Sequence, residues 1–201
     1  MDKLTILYTQ NIRGDLQLLP RLYTFLQQLK REYDPTALLL DTGDACVDDV
    51  WHCEASQGRS TVIVMDGMGY HAVNVSGFMG DSERDSLKGA ISTGLVTARH
   101  MWRYFVPPVR DEDIVIAGQA TPAMKLCVIA APAEENRLEN RMLHLKSVNK
   151  GEVGLVKADM KEMTILEANS FTMPEKIKPD ATIAASVELV EEEARFTQKR
   201  R

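Results

Sequence analysis

Two short apolar runs, Leu4-Thr5-Ile6-Leu7-Tyr8 and Leu38-Leu39-Leu40, set the pattern of the first part of the chain. The first runs into Thr9-Gln10-Asn11-Ile12-Arg13-Gly14 and the second into Asp41-Thr42-Gly43-Asp44, so each reads as a strand that ends in a polar, glycine-bearing loop. Between them Leu18, Leu22, Phe25 and Leu29 recur at helical spacing, Leu19, Leu26 and Tyr33 broaden the same face, and Asp34-Pro35 stops the run. The three segments predict a βαβ unit. Residues 37–40 are apolar without alternation, which places the second strand inside a parallel sheet with both faces covered. Open α/β sheets put their ligands in the loops at the carboxyl ends of such strands.

Residues 45–59 have no clean period and read as a loop crossing that edge of the sheet. Ser60 is placed to cap a helix through Met68, which Gly69 ends in a left-handed conformation. His71-Ala72-Val73-Asn74-Val75 is a third strand, followed by the loop 76–81. The pattern over 81–108 decides nothing. Segments 113–118 and 125–131 read as a hairpin turned around Thr121-Pro122, and 142–148, 153–159 and 163–171 as an antiparallel meander. Asp180 caps a final helix that buries Ile183, Val187, Val190 and Ala194, with Glu191, Glu192, Glu193, Arg195 and Lys199 in solvent.

Composition narrows the function classes. The 201 residues, 44% hydrophobic, suffice for one domain spanning 1–201 with a sizeable core. A net charge of −5, with Lys and Arg dispersed except at Lys199-Arg200-Arg201, argues against a nucleic-acid or membrane partner. There is no export-like leader and no run of membrane-spanning length, so a cytoplasmic location is expected. In that setting Cys46, Cys53 and Cys127 are expected to be thiols rather than a disulfide framework.

The stretches Thr5–Gly14, Leu39–Asp44 and Met65–Met79 together resemble the calcineurin-like metallophosphoesterases, in particular their 5′-nucleotidase branch. That family carries Asp-x-His-Gly, Gly-Asp and Gly-Asn-His-Glu in this order and at similar spacing. The resemblance runs to Met79, with a fainter echo over 151–195. It implies an α/β fold, a mixed β-sheet sandwich flanked by helices and truncated here. It also implies hydrolysis of phosphate esters at two metal ions bridged by a carboxylate. Position by position, Asn11 stands at the first aspartate and Arg13 at the first histidine, while Asp44 is retained at the bridging carboxylate. Gly77 and Phe78, after Ser76, replace the asparagine and the catalytic histidine. A guanidinium has no lone pair for a metal. The expected protein is therefore a degenerate, shortened member with no cofactor, a non-catalytic binding or structural module. The alternative is an atypical phosphoesterase or nucleotidase using a divalent metal such as Mn or Zn, held at Asp44 with help from Asp41 and the 45–59 loop.

Four further readings follow. Arg13 is expected to supply the missing positive charge and to pair with Asp44 or Asp41, since a bidentate pair would satisfy stranded carboxylates. Asn11, Arg13, Thr42, Ser76 and Gly77 could hold an anion, a phosphate or a nucleotide, through backbone amides and the guanidinium. His52-Cys53, with Cys46, Asp48 and Asp49, lacks regular metal-ligand spacing and reads as a polar loop with incidental thiols. Tyr70, Trp102, Tyr104 and Phe105, with the irregular stretch 101–106, suggest an apolar patch that a homodimer would cover.

Overall fold

A computed structural model describes residues 3–105, 113–119 and 126–200. In chain order the elements are β1 (Lys3–Thr9), α1 (Leu19–Tyr33), β2 (Leu38–Asp41), α2 (Trp51–Ser56), α3 (Arg59–Gly67), β3 (Ala72–Asn74), α4 (Asp81–Leu87) and β4 (Gly94–Val96). They continue with β5 (Met101–Phe105), β6 (Asp113–Ala117), β7 (Cys127–Ala133), β8 (Arg137–Glu139), β9 (Met142–Lys146), β10 (Glu152–Asp159), β11 (Thr164–Thr172) and α5 (Ala181–Gln198).

The strands form two sheets, β11-β10-β1-β2-β3-β4 and β5-β6-β7-β9-β8. In the first, β1, β2, β3 and β4 run parallel, and β10 joins β1 antiparallel with Leu7 opposite Leu155. Strand period then sorts the side chains. Leu4, Ile6, Tyr8, Leu38, Leu40 and Val156 face the second sheet and share a core with Ile114, Ile116, Val128, Leu143 and Leu145. Leu7, Leu39, Val73, Val153 and Leu155 face the other way, onto the apolar sides of α1, α3 and α5. The central strands carry apolar runs, Leu38–Leu40 above all, because both of their faces are covered, and their polar residues Thr9, Asp41 and Asn74 gather at the carboxyl ends.

Close approach of β10 to β1 depends on one glycine. A Cβ on Gly154 would lie 2.1 Å from Tyr8 Cζ, so the Tyr8 ring lies across a strand that has no side chain there. The ring's hydroxyl donates to Asn136 Oδ1 at 3.3 Å, and burial pushes its pKa up to about 12.

Several sequence expectations need correction. β6 and β7 are parallel neighbours, Val115 opposite Cys127, and do not form a hairpin; the turn at Thr121-Pro122 lies outside the described residues. Turn residues announce that a chain changes direction, not where its next strand docks. β9 belongs to the second sheet, parallel to β7 and antiparallel to β8, so only β10 and β11 remain of the meander. The short stretch Asn149-Lys150-Gly151 carries the chain from one sheet to the other. Residues 45–59 contain α2, and α3 starts one residue before Ser60 with Gly58, at φ 81°, as its cap. Gly69, at φ 81°, does follow the end of that helix. Asp180 caps α5, accepting from the amides of Thr182 and Ile183.

Candidate functional site

The loops after β1 and β2 run side by side, joined backbone to backbone. Asn11 N donates to Gly43 O at 3.1 Å, Arg13 N to Asp44 O at 2.7 Å and Gly14 N to Ala45 O at 2.8 Å. This ladder holds Asn11 at φ 59°, Arg13 at 54° and Asp44 at 56°. A non-glycine residue in that region persists only where its surroundings over-determine it, and such residues gather at functional sites. The loop mouths are rigidly built by their backbone.

Beneath them lies a buried polar chain. Asp41 has no solvent exposure; its Oδ1 accepts from Gly43 N at 3.0 Å and its Oδ2 from Thr9 Oγ1 at 2.9 Å. Thr9 Oγ1 in turn lies 2.9 Å from the Tyr70 hydroxyl. Burial raises the Asp41 pKa to about 8, offset in part by the Thr9 and Gly43 bonds, and raises that of Tyr70 as well. Asp41, with both oxygens engaged and no solvent exposure, therefore works as a buried anchor under the second loop, out of reach of a ligand.

The structure distributes the other expected residues unevenly. Arg13 and Asp44 are both exposed, and among the described residues Arg13 makes no ion pair, with Asp44, with Asp41 or with any other acid. The expected Arg13–carboxylate pair is thus corrected: the left-handed backbone directs the guanidinium to solvent, and Asp41 is satisfied from below. Asn11 is half-buried and donates through Nδ2 to Val148 O at 2.9 Å, while Gln10 Oε1 accepts from Val148 N at 3.2 Å. Thr42 is buried, and its hydroxyl donates to Thr9 O. Ser76 and Gly77 are exposed at the third loop. Phe78 turns inward, and a Cβ on Gly58 would meet its ring at 2.5 Å. Arg13, Asp44, Ser76 and Gly77 thus stay exposed in the loops, while Asn11, Thr42, Asp41 and Phe78 serve the scaffold.

Asn74 went unnoticed in the sequence. It is buried, donates through Nδ2 to Ala130 O at 2.7 Å and to Thr42 O at 3.4 Å, and accepts from Ser76 N at 3.0 Å. One carboxamide fixes the third loop to β2 and to the second sheet. An asparagine two residues before a serine at a strand end is the signal that could have revealed it.

The thiol expectation also fails for two of the three cysteines. Cys46 and Cys53 form a disulfide with Cα atoms 5.8 Å apart, and Cys127 lies outside it. Residues 47–50 turn the chain back and α2 presents Cys53 to the preceding loop, a convergence that irregular spacing hides. Of the aromatic patch, Tyr70 is buried and Tyr104 half-buried, while Met101 and Trp102 are exposed on β5; the Phe105 side chain lies outside the described residues.

No family model and no curated protein matches the sequence. Solved structures do match. NAD nucleotidase (NadN) from Haemophilus influenzae superposes with a TM-score of 0.64 at 10% identity, over 96% of this chain and 60% of that one. The calcineurin-like phosphoesterase YfkN from Bacillus subtilis gives 0.59 at 11% identity, over 98% of this chain and 99% of that one. Sulfate thiohydrolase SoxB from Thermus thermophilus gives 0.64 at 9% identity, over 96% and 61%. The chain has a metallophosphoesterase-like fold. It spans about three-fifths of the length of the nucleotidase and thiohydrolase chains. At these identities the likeness concerns the fold; what the metallophosphoesterase-like frame does here depends on its own loop residues. Among the described residues no helix is long and apolar enough to cross a membrane.

Proposed function

We propose that this chain is a degenerate metallophosphoesterase-like domain that works as a non-catalytic binding module, with anion recognition at the loop mouths. One observation carries the reading: the residues that the sequence resemblance sets at a metal ligand and at the catalytic histidine are engaged in packing. Asn11 holds the crossover at Val148, and Phe78 covers Gly58. A dinuclear centre needs several anionic or imidazole ligands converging on two ions. Among the described residues no group of three His, Cys, Asp or Glu side chains includes Asp44. The fit between residues present and a metal pair is therefore poor. Arg13, Ser76 and the Gly77 amide are the groups left to receive a phosphate or a nucleotide phosphate.

A second reading keeps Asp44 as a metal ligand, and one feature favours it: the carboxylate is exposed on a loop held at φ 56°. In that case the chain is an atypical phosphoesterase or nucleotidase. The two separate in one experiment. Purified protein is supplied with Mn²⁺ or Zn²⁺ and a panel of phosphomonoesters, phosphodiesters and nucleotides, alongside Asp44→Ala. The binding-module reading expects no turnover above the variant, with phosphate or nucleotide binding by calorimetry weakened at least tenfold in Arg13→Ala. Metal-dependent turnover abolished by Asp44→Ala would establish the second reading instead.

A further inference from the structure

We propose that Cys46, His52 and Cys53 form a metal site of their own, one that takes a single zinc-class ion when the two sulfurs are reduced. The two Sγ atoms and a ring nitrogen of His52 lie within 4.8 Å of one another. All three residues are buried, at 2%, 3% and 4% exposure. They converge from the loop after β2 and from the first turn of α2.

The histidine's tautomer is already fixed by its neighbours. Its Nε2 lies 2.7 Å from Gly14 O, an atom that can only accept, so Nε2 carries the hydrogen. In the neutral ring Nδ1 then holds the lone pair, at present 2.8 Å from Ser60 Oγ. Metal-ligating histidines are typically held this way, the second ring N–H tied to a carbonyl so that the other nitrogen is fixed in direction and tautomer. Thr61 Oγ1, 3.2 Å from Cys46 Sγ, and Ser60 Oγ border the same space, so a hydroxyl or a water could complete four ligands.

The donor set selects the ion. Two thiolates and one imidazole suit zinc and disfavour magnesium or calcium, which prefer oxygen. The disulfide is the oxidised alternative to the same site. A dithiol reductant supplies two electrons and two protons, the Sγ–Sγ bond breaks to two thiols, and the reductant leaves as its cyclic disulfide. Zinc then displaces both thiol protons. Thiolates on one zinc sit about 3.8 Å apart given a Zn–S bond of about 2.3 Å, a separation that side-chain rotation can supply at the present Cα distance. In a reducing compartment, closely placed cysteines of this kind more often hold metal than bridge. The ion would be structural. Cys46 follows Asp44 by two residues and His52 holds Gly14, so one ion would pin the first two loops to α2. These residues are separate from those of the proposed anion site, so either idea can fail without the other.

The test is to reduce the full chain with a dithiol, remove the reductant under nitrogen and titrate with Co²⁺. We expect one ion per chain, the charge-transfer absorption of thiolate-bound tetrahedral cobalt, displacement by Zn²⁺ and release of two protons per ion. The same protein left oxidised should show none of this, a comparison that needs no substitution and so no question of misfolding. Cys46→Ser and Cys53→Ser should abolish the band, His52→Ala should weaken binding at least tenfold, and Cys127→Ser should bind as the parent does. Reduced protein without thiolate–cobalt absorption, or with binding unchanged in the Cys46→Ser and Cys53→Ser variants, would overturn the site.

Discussion

Asp41 keeps its proton in the fold up to about 8, because burial withholds the solvation a carboxylate needs. In the unfolded chain the same group ionises near its ordinary 3.8. Between those values the unfolded state binds fewer protons than the native one, so stability falls as pH rises across the window, by at most roughly 1.4 kcal/mol per unit from this group. Asp41→Asn should remove that slope, since an amide can donate to Thr9 and accept from Gly43 without titrating. Urea unfolding of both proteins at several pH values between about 4 and 8 checks it, with the variant gaining on the parent as pH rises. Gly14 offers a second residue-scale check. It sits at φ +73°, and an added Cβ would lie 2.8 Å from Cys53 Sγ and 3.0 Å from Val50 Cγ1. Gly14→Ala should lower stability by roughly 1–3 kcal/mol through backbone strain and overpacking, read from the urea midpoint.

Among the elements, the legible ones were those whose period and caps agree. The helix after β1, the apolar run Leu38–Leu40 of β2 and the Asp180-capped α5 are all where their patterns place them, because their apolar side chains meet the core. Asp180→Ala removes the acceptor for the Thr182 and Ile183 amides and should cost about 1 kcal/mol, visible as a lower thermal midpoint. The partners of strands were not legible. A run such as Leu126–Ile129 fits a parallel or an antiparallel neighbour equally well, and only the second sheet's packing on the first decides between them. The site was legible in its loops but not in its side-chain roles. Arg13, Asp44, Ser76 and Gly77 are exposed in the loops after the strands, whereas the inward turn of Phe78, the tie from Asn11 to Val148 and the reach of Asn74 arise from contacts more than fifty residues away in sequence or across a loop that spacing does not describe.

At the scale of the molecule, those same ties join the two sheets. Asn11 and Gln10 both grip Val148, in the crossover between β9 and β10, and Lys150 pairs with Asp15 at 2.9 Å beside them. Restoring the resembled family's residue at this point should therefore be harmful. Asn11→Asp would set a carboxylate against the Val148 carbonyl 2.9 Å away, replacing a donor with an acceptor. We expect a loss of roughly 1–3 kcal/mol, larger than for Asn11→Ala, in chemical unfolding. The order β10-β1-β2 has a further consequence, which concerns how the molecule is made. β1 emerges from the ribosome well before β10, so one of its two edges must wait for residues such as Leu155. At a synthesis rate of about 5–20 residues per second, that edge stands bare for roughly 7–30 seconds. Nascent chains of this protein are thus most exposed to strand-to-strand clumping during elongation, and slowing translation between β2 and β10 should lower soluble yield without altering the finished fold.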